Sequence, residues 1–537
     1  MNREQTLRAL QSPQPFDLLV VGGGATGCGI AVDAAARGLR VALVEKRDYG
    51  EGTSSRSTKL VHGGVRYLEM AVRGLDRAQY QLVKDGLRER GLILRNAPHL
   101  AHRLPLVTPI YNWLEVPYVF AGLKLYDTLA GRKSLGSSRL IGREEALRRF
   151  PLLKAEGLKA GVLYYDGQFN DVRMIQALVA TARRQGAVTA NHVEVVELIR
   201  EGGRLRGARV RDAIGGEEFI IRARGVINAT GPFADHIRRL DDPETRPLLK
   251  ASSGIHIVLD KHFAPPGAGL MIPKTEDGRV LFILPWQGRT LIGTTDEPAA
   301  IVDHPRPSQA DIAYLLRHVR RYFNLDLTPD HIRSTWSGLR PLLDAPQSSD
   351  TARLVRDHLV QISPAGLLTI VGGKWTTYRK MAEDAVDRAV QAFSLAPAST
   401  CVTAELALHG AQGFDPHGAP GLARDHGLAA EVAAHLHQTY GGCAAQVAEL
   451  AQGDLGERLH PEYPLIGAEV VHAAREEQAE RLADVLVRRT ALALLDLQAA
   501  AAAAARTAEI LARELGWDEA RRREELQVFQ HQVETAI

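Results

Sequence analysis

The chain has 537 residues, more than one hydrophobic core serves, and at about 100–200 residues per domain it holds three or four folding units. With 45% hydrophobic and 24% charged residues it matches neither a multi-span membrane protein nor a disordered chain. Its formal net charge of +3, with Lys and Arg balanced along the chain by Asp and Glu, gives no footing for nucleic acid as a partner.

The N-terminal stretch MNREQTLRALQSPQPFD lacks the apolar run of a secretory signal, so export is not expected. The three cysteines, Cys28, Cys401 and Cys443, have no CxxC spacing, which argues against a disulfide framework, a thiolate zinc site or an iron-sulfur cluster. A reducing, cytoplasm-facing compartment and no metal are the resulting expectations.

The first structured segment reads as strand, glycine turn, helix, strand: FDLLVV (Phe16–Val21), GGGATG, an alanine-rich helix to Arg37, then LRVALVE ending at Glu45. Continuous apolar strands of this kind form a buried parallel βαβ unit. Gly22, Gly24 and Gly27 spell GxGxxG between that strand and helix, and Glu45 closes the next strand about 20 residues on, as a dinucleotide site requires. The glycines let backbone approach a pyrophosphate, the helix start offers N–H donors, and Glu45 accepts from ribose hydroxyls.

The region Thr53 to Phe150 shows a charged helical pattern. Within it Val116 to Gly131 is the most membrane-like stretch, but Lys124 and Asp127 interrupt it and it falls short of the ~20 apolar residues of a spanning helix. Its aromatics, Tyr118, Phe120 and Tyr126 with Trp113 before it, stand near Lys124, Arg132 and Lys133, which suits a lipid interface. An ordinary buried helix fits the same pattern.

From Val193 the pattern turns to hairpins: HVEVVELIR, a turn at Gly202 and Gly203, LRGARVRD, a second Gly-Gly turn, then EEFIIRARGVINATG. HIVLD, GLMIPKTEDGRVLFILPW and RTLIGTTD predict a separate antiparallel sheet able to carry a substrate. The strand LLTIV is expected to rejoin the first sheet before the helix of GGKWTTYRK. Beyond Cys401 the pattern is helical, with an alanine run from Ala499 to Ala505. There is no internal repeat.

Two further glycine sites, NATG (Asn228 to Gly231) and Gly372 with Gly373, follow strands and precede helices or turns. Distant turns converging on one long cofactor suit FAD better than NAD.

The string TSSRSTKLVHGGVRYLE, from Thr53 to Glu69, resembles the signature of FAD-dependent glycerol-3-phosphate dehydrogenases, within the D-amino-acid-oxidase-like flavoproteins. APHLAHRLP, YYDGQFND, NATGPFAD, GIHIVL, LPW with IGTTD, SGLRPL and GGKWTTYRK follow in the family's order, and AEVVHAAREEQAERLADVLVRRTALA resembles its C-terminal domain. The resemblance implies non-covalent FAD lined by Thr53, Ser54, Ser57, Thr58, Lys59, His62, Gly63 and Gly64, with Val193, Ala229, Thr230, Gly231, Gly372, Gly373 and Thr376 completing the cofactor set. It places Arg66, Tyr67, His256, Arg340, Arg356 and Lys374 at the substrate, His256, Arg340 and Lys374 being catalytic. It implies an α/β fold: an FAD-binding Rossmann-like domain over residues 1–395, interrupted by substrate-binding segments near 67–165 and 245–345, then a helical domain over 396–537. It also implies a quinone acceptor, a homodimer, and a cytoplasmic protein held peripherally at the inner face of the cell membrane.

The residue types suit that chemistry. An Arg fork grips a phosphate dianion, a Lys balances it, and a neutral imidazole accepts the proton of the C2 hydroxyl. Where family members carry Lys-Gly ahead of the HIV stretch, this chain has Ser253 and Gly254, so that basic contact is absent or supplied by Lys250. An oxidase passing electrons to oxygen, an FAD amine or amino-acid oxidase, and a non-enzymatic flavin-binding membrane scaffold are the rival readings.

Overall fold

The runs FDLLVV and VALV are apolar at every position but Asp17, so both faces of their strands must be covered, and a parallel sheet between helices does that. The computed structural model describes residues 1–64, 77–131, 134–265, 267–273, 275, 278–325, 327–343 and 358–535. In it β1 (Phe16–Val21) lies between β2 (Val41–Val44) and the end of the strand Glu218–Asn228, all parallel. Leu367–Gly372 adds in parallel beyond Glu218–Asn228, and Val188–Ala190 beyond β2. The expected return of LLTIV to the first sheet is thus observed. His358–Ile362 closes this eight-stranded sheet as an antiparallel edge, and the hairpin Val193–Glu201 and Arg204–Asp212 extends from it.

A second, ten-stranded sheet is built on Leu249–Leu259, which pairs with Arg289–Gly293, Glu297–Ala299 and Ser334–Leu343. Two corrections to the sequence reading arise here. The supposedly helical region after Thr53 contains the strand Ala101–Ile110, paired along its whole length with Ala160–Phe169. That strand also joins Gly269–Ile272 in parallel, so the sheet is mixed rather than purely antiparallel. Leu60–Val61 and Arg139–Gly142 add two further short strands to that sheet, and the helical pattern holds in Arg77–Asn96, Val116–Ala130 and Arg143–Arg149.

The C-terminal part is helical. Its longest helix, Leu497–Leu515, carries the alanine run, and Ala499, Ala500, Ala503 and Ala504 are buried, small enough to let neighbouring helices approach closely. One apolar cluster contains Trp286 and Trp336 of the second sheet together with Leu486, Leu492 and Leu494 of the tail. At roughly 1.5–3 kcal/mol for each large side chain fully buried, such a shared core makes the tail part of the body and not an appendage.

Charge crosses the same boundary. Asp48, just beyond β2, is fully buried and receives Arg488 Nε at 2.6 Å and both terminal nitrogens of Arg489 at 2.6 and 2.9 Å. Asn191 donates to it as well. The two arginines end a π-helical turn, Asp484–Arg489, a wide winding that proteins use in short pieces. His192 meets Asp484 at 2.8 Å in the same cluster. Asp48, His192 and Asp484 gather in metal-ligand fashion, but arginines already neutralise the carboxylates.

Removing one partner from a buried, hydrogen-bonded pair leaves a charge stranded, which costs more than the pair itself is worth. Arg489→Met should therefore lower stability by about 3–5 kcal/mol in urea unfolding. The double variant Asp48→Asn, Arg489→Met should lose less than the sum of the singles. A wild-type midpoint for Arg489→Met would show that Arg488 alone suffices.

Candidate active site

The first glycine turn is shaped by close approach. Gly22 has φ +109°, and a Cβ there would lie 2.7 Å from the Ala229 carbonyl oxygen, so the GGGATG and NATG turns touch. A Cβ on Gly27 would lie 1.8 Å from the Gly22 carbonyl oxygen, which brings the helix α1 (Ala25–Ala36) hard against the turn. Asn228 is buried and builds the NATG turn, accepting from the Thr230 hydroxyl at 2.7 Å and donating to the Ala234 carbonyl at 2.9 Å. Around Gly231 a Cβ would meet nothing within 4 Å, and around Gly24 only Ser54 Oγ, at 3.2 Å. These are open backbone edges facing a helix start, the donor-rich lining a pyrophosphate needs.

Glu45 ends its strand with both carboxylate oxygens engaged, accepting from Gly23 N–H at 2.7 Å and Arg47 N–H at 3.0 Å. Burial raises its pKa above the usual range, against the pull of those two bonds. Val193 N–H donates to the Glu45 carbonyl, so the structure brings Val193 beside it. The residues present therefore fit a dinucleotide with an adenosine end at Glu45.

The TSSRSTK loop wraps this turn. Thr53 donates to the Leu339 carbonyl, and Ser54 Oγ accepts from Ala25 N–H at 2.9 Å, capping the helix start. Ser57 and Lys59 turn elsewhere: both hold Asp171, the Lys59 ammonium at 2.6 Å, in an ion pair with neither side chain exposed. The side chain of Lys59, expected to line the cofactor, is thus sealed in the interior. His62 N–H meets Thr376 Oγ1 at 3.2 Å, and Gly63 N–H meets the Tyr126 hydroxyl at 2.7 Å. Gly64 takes φ +85° as the chain leaves the loop. Trp375, between Lys374 and Thr376, donates its indole N–H to the Ser54 carbonyl, so GGKWTTYRK adjoins TSSRSTK. Gly372 and Gly373 both take positive φ, at 82° and 75°, where that strand breaks toward Lys374.

His256 and Arg340 lie on neighbouring strands of the second sheet, His256 opposite Trp336 and Arg340 opposite Ser252. His256 stacks on Trp336 with ring centroids 5.5 Å apart, and its Nε2 is 2.9 Å from the Thr58 hydroxyl. Burial holds its imidazole well below the usual pKa, and the Lys59 and Arg340 charges lower it further. The ring is therefore neutral at physiological pH. Arg340 passes directly over Gly254, where a Cβ would lie 2.1 Å from Nη2. Its guanidinium reaches the Thr294 hydroxyl at 2.9 Å, the Thr295 carbonyl at 3.0 Å and Asp296 at 3.3 Å. The glycine at 254 is thus a requirement of Arg340.

Arg66, Tyr67 and Arg356 lie outside the described residues. Sequence reasoning missed Asp171, Asp296 and Tyr126. Two of them sat inside quoted motifs, Asp171 closing YYDGQFND and Asp296 closing IGTTD, and those positions were the available signal.

An alanine at Gly27 would collide with backbone, which cannot give way cheaply. Gly27→Ala should purify with less than a tenth of the wild-type flavin absorbance, and full occupancy would show that the turn is not the cofactor cradle.

Residues 17–379 match the family model described as FAD dependent oxidoreductase, and residues 401–522 match the C-terminal domain of alpha-glycerophosphate oxidase. The mitochondrial glycerol-3-phosphate dehydrogenase of Mus musculus is 47% identical over 98% of this chain and 74% of its own length. The Arabidopsis thaliana enzyme, glycerol-3-phosphate dehydrogenase SDP6, mitochondrial, is 46% identical over 99% of this chain and 88% of its own. Among solved structures, the glycerol-3-phosphate dehydrogenase from Bacillus halodurans complexed with FAD superposes with a TM-score of 0.82 at 29% identity, covering 99% of this chain and 97% of that one. The chain belongs to the FAD-dependent oxidoreductase family, in the branch of the glycerol-3-phosphate dehydrogenases.

Proposed function

We propose that this protein oxidises sn-glycerol 3-phosphate to dihydroxyacetone phosphate, with electrons passing to a membrane quinone. The observation that carries the reading is the pairing of a buried neutral imidazole, His256, with a pre-positioned guanidinium, Arg340, on strands that adjoin the cofactor-lining loop. FAD, when bound, supplies the hydride acceptor. The protein supplies binding, orientation and proton handling.

In this reading His256 receives the proton of the C2 hydroxyl. Arg340 and Lys374 stabilise the oxygen as negative charge grows on it, because fixed cations in a water-poor site act without reorganising. Arg66, Tyr67 and Arg356 complete the substrate contacts. Ser57, Lys59 and Asp171 hold the loop that carries Thr58, and Asp296 and Gly254 hold Arg340.

A peripheral membrane site belongs to the same proposal, since a quinone must be reached. No helix among the described residues is long and apolar enough to cross a membrane. The turn before the helix Val116–Ala130 exposes Trp113 at 57% and Leu114 at 84%, side chains that gain most at a lipid interface. The inner face of the cell membrane is the surface proposed, with a homodimer as the working assembly, to be checked by light scattering. Trp113→Ser, Leu114→Ser protein should bind anionic vesicles about tenfold less in flotation at low salt; equal flotation would move the contact elsewhere.

The reading stands or falls on anaerobic flavin bleaching by glycerol 3-phosphate. A scaffold would leave the flavin oxidised, an amine oxidase would bleach only with amines, and an oxygen-using oxidase would release hydrogen peroxide in air. Arg340→Ala should retain FAD and lose about ten- to several-hundred-fold in kcat/KM, from one or two charge-assisted bonds at ~1.5–3 kcal/mol each. Loss confined to KM would assign Arg340 to phosphate binding, and loss in kcat to the developing alkoxide. Arg340→Lys should recover only part.

A further inference from the structure

The imidazole of His256 is closed on nearly every side. The residue is 2% exposed, and its Nδ1 is buried with no hydrogen-bond partner among the described residues. Trp336 covers one ring face, and the Gly293 backbone approaches so closely that a Cβ there would lie 2.1 Å from His256 Cδ2. The remaining polar atom, Nε2, meets the hydroxyl of Thr58 at 2.9 Å. Thr58 is only half-buried and sits in the TSSRSTK loop, held from behind by Ser57 and Lys59 on Asp171. The imidazole is thus shut off from a substrate hydroxyl, whereas Thr58, in contact with it, keeps exposed surface.

We propose that Thr58 is a catalytic residue of the reaction, relaying the substrate proton to His256. The step rests on the assignment of His256 as base. The C2 hydroxyl O–H breaks and its proton passes to Thr58 Oγ1, while the Thr58 O–H breaks and its own proton passes to His256 Nε2. The C2–H bond pair would leave with its hydrogen as hydride to FAD when that is bound, and the pair left on oxygen by the broken O–H bond would close the carbonyl. Thr58 ends as it began, and His256 ends as an imidazolium, which returns its proton by the same path once product has left.

The relay fixes the tautomer of the resting enzyme. Nε2 must carry a lone pair to accept from Thr58, so the ring proton must sit on Nδ1, where no described residue accepts it. A buried donor left unpaired is destabilising, and proteins keep such groups where function requires them. In the other tautomer Nε2–H donates to Thr58, and no proton can pass inward.

Three observations test this. In holoenzyme labelled with 15N-histidine, long-range nitrogen spectra should show His256 with its proton on Nδ1; a proton on Nε2 overturns the relay whatever the variants do. Thr58→Val should keep FAD and slow anaerobic flavin reduction by glycerol 3-phosphate about 100-fold or more, the scale of acid–base catalysis, while Thr58→Ser recovers most of the rate. A wild-type rate in Thr58→Val overturns the relay. If His256→Asn is slow while Thr58→Val is fast, only the relay fails; if both are fast, the base assignment fails too. Should Thr58→Val not retain FAD, the wild-type tautomer decides alone.

Discussion

One carboxylate, Asp48, lies buried between the first sheet and the C-terminal helices and ties the two together. An ionised carboxylate in the interior is tolerated only when cations and hydrogen bonds surround it, and Arg488, Arg489 and Asn191 do so. The two arginines come from a segment about 440 positions away in the chain. Fixing Asp48 therefore fixes the tail, and it also fixes the loop that runs from Glu45 to Ser55. The same bond network continues through Tyr49 and Thr189 to Gln478, and through His192 to Asp484, so the cofactor-side loop is held from the far side of the molecule.

Asp171 plays the equivalent part on the other flank of that loop. It takes the Lys59 ammonium and the Ser57 hydroxyl, and burial drives the Lys59 pKa down while the Asp171 charge holds it up. Lys59 also lies 4.9 Å above the ring of Trp286 and 5.2 Å above that of Trp336, two rings of the apolar core that the second sheet shares with the tail. Loop, sheet and tail thus meet around one buried cation. Rigid support of this kind matters more to a hydride-transfer site than stability alone, since small misplacements of reacting groups cost rate steeply.

Much of this was legible in the sequence, and the reason is local. The βαβ unit, the three hairpin strands after Val193 and the return of LLTIV each carry their own period and their own glycine turn, so neighbours along the chain suffice to specify them. The strand Ala101–Ile110 carried no such mark. It contains Pro105 and Pro109, and it is a strand because Ala160–Phe169 lies beside it; its parallel partner pairs only at Leu106 and Val107, which leaves both prolines outside that ladder. Motif strings assigned His256 and Arg340 to one expected site, and the structure places them on neighbouring strands of one sheet. They could not tell that Lys59 turns inward, because an ammonium on a loop and one in a buried ion pair read alike until Asp171 arrives from 112 residues away.

The charge arrangement around His256 resolves an apparent conflict in the site. The proposed reaction wants a base there, yet burial, Lys59 and Arg340 all make protonation harder. Burial first, and then the same two cations, keep the resting imidazole neutral, and a neutral ring is the only form with a lone pair to offer. They also raise the local potential, which draws a phosphate dianion and favours negative charge on a substrate oxygen as its proton leaves. Driving force is thus shared: the cations weaken the base and strengthen the acid by acting on the same proton from opposite ends. A histidine exposed to water would be a stronger base, but it would be partly protonated at neutral pH and would meet its substrate among competing water molecules. Burial behind Thr58, beside fixed positive charge, exchanges basicity for a defined protonation state and a single hydrogen-bond route to the ring.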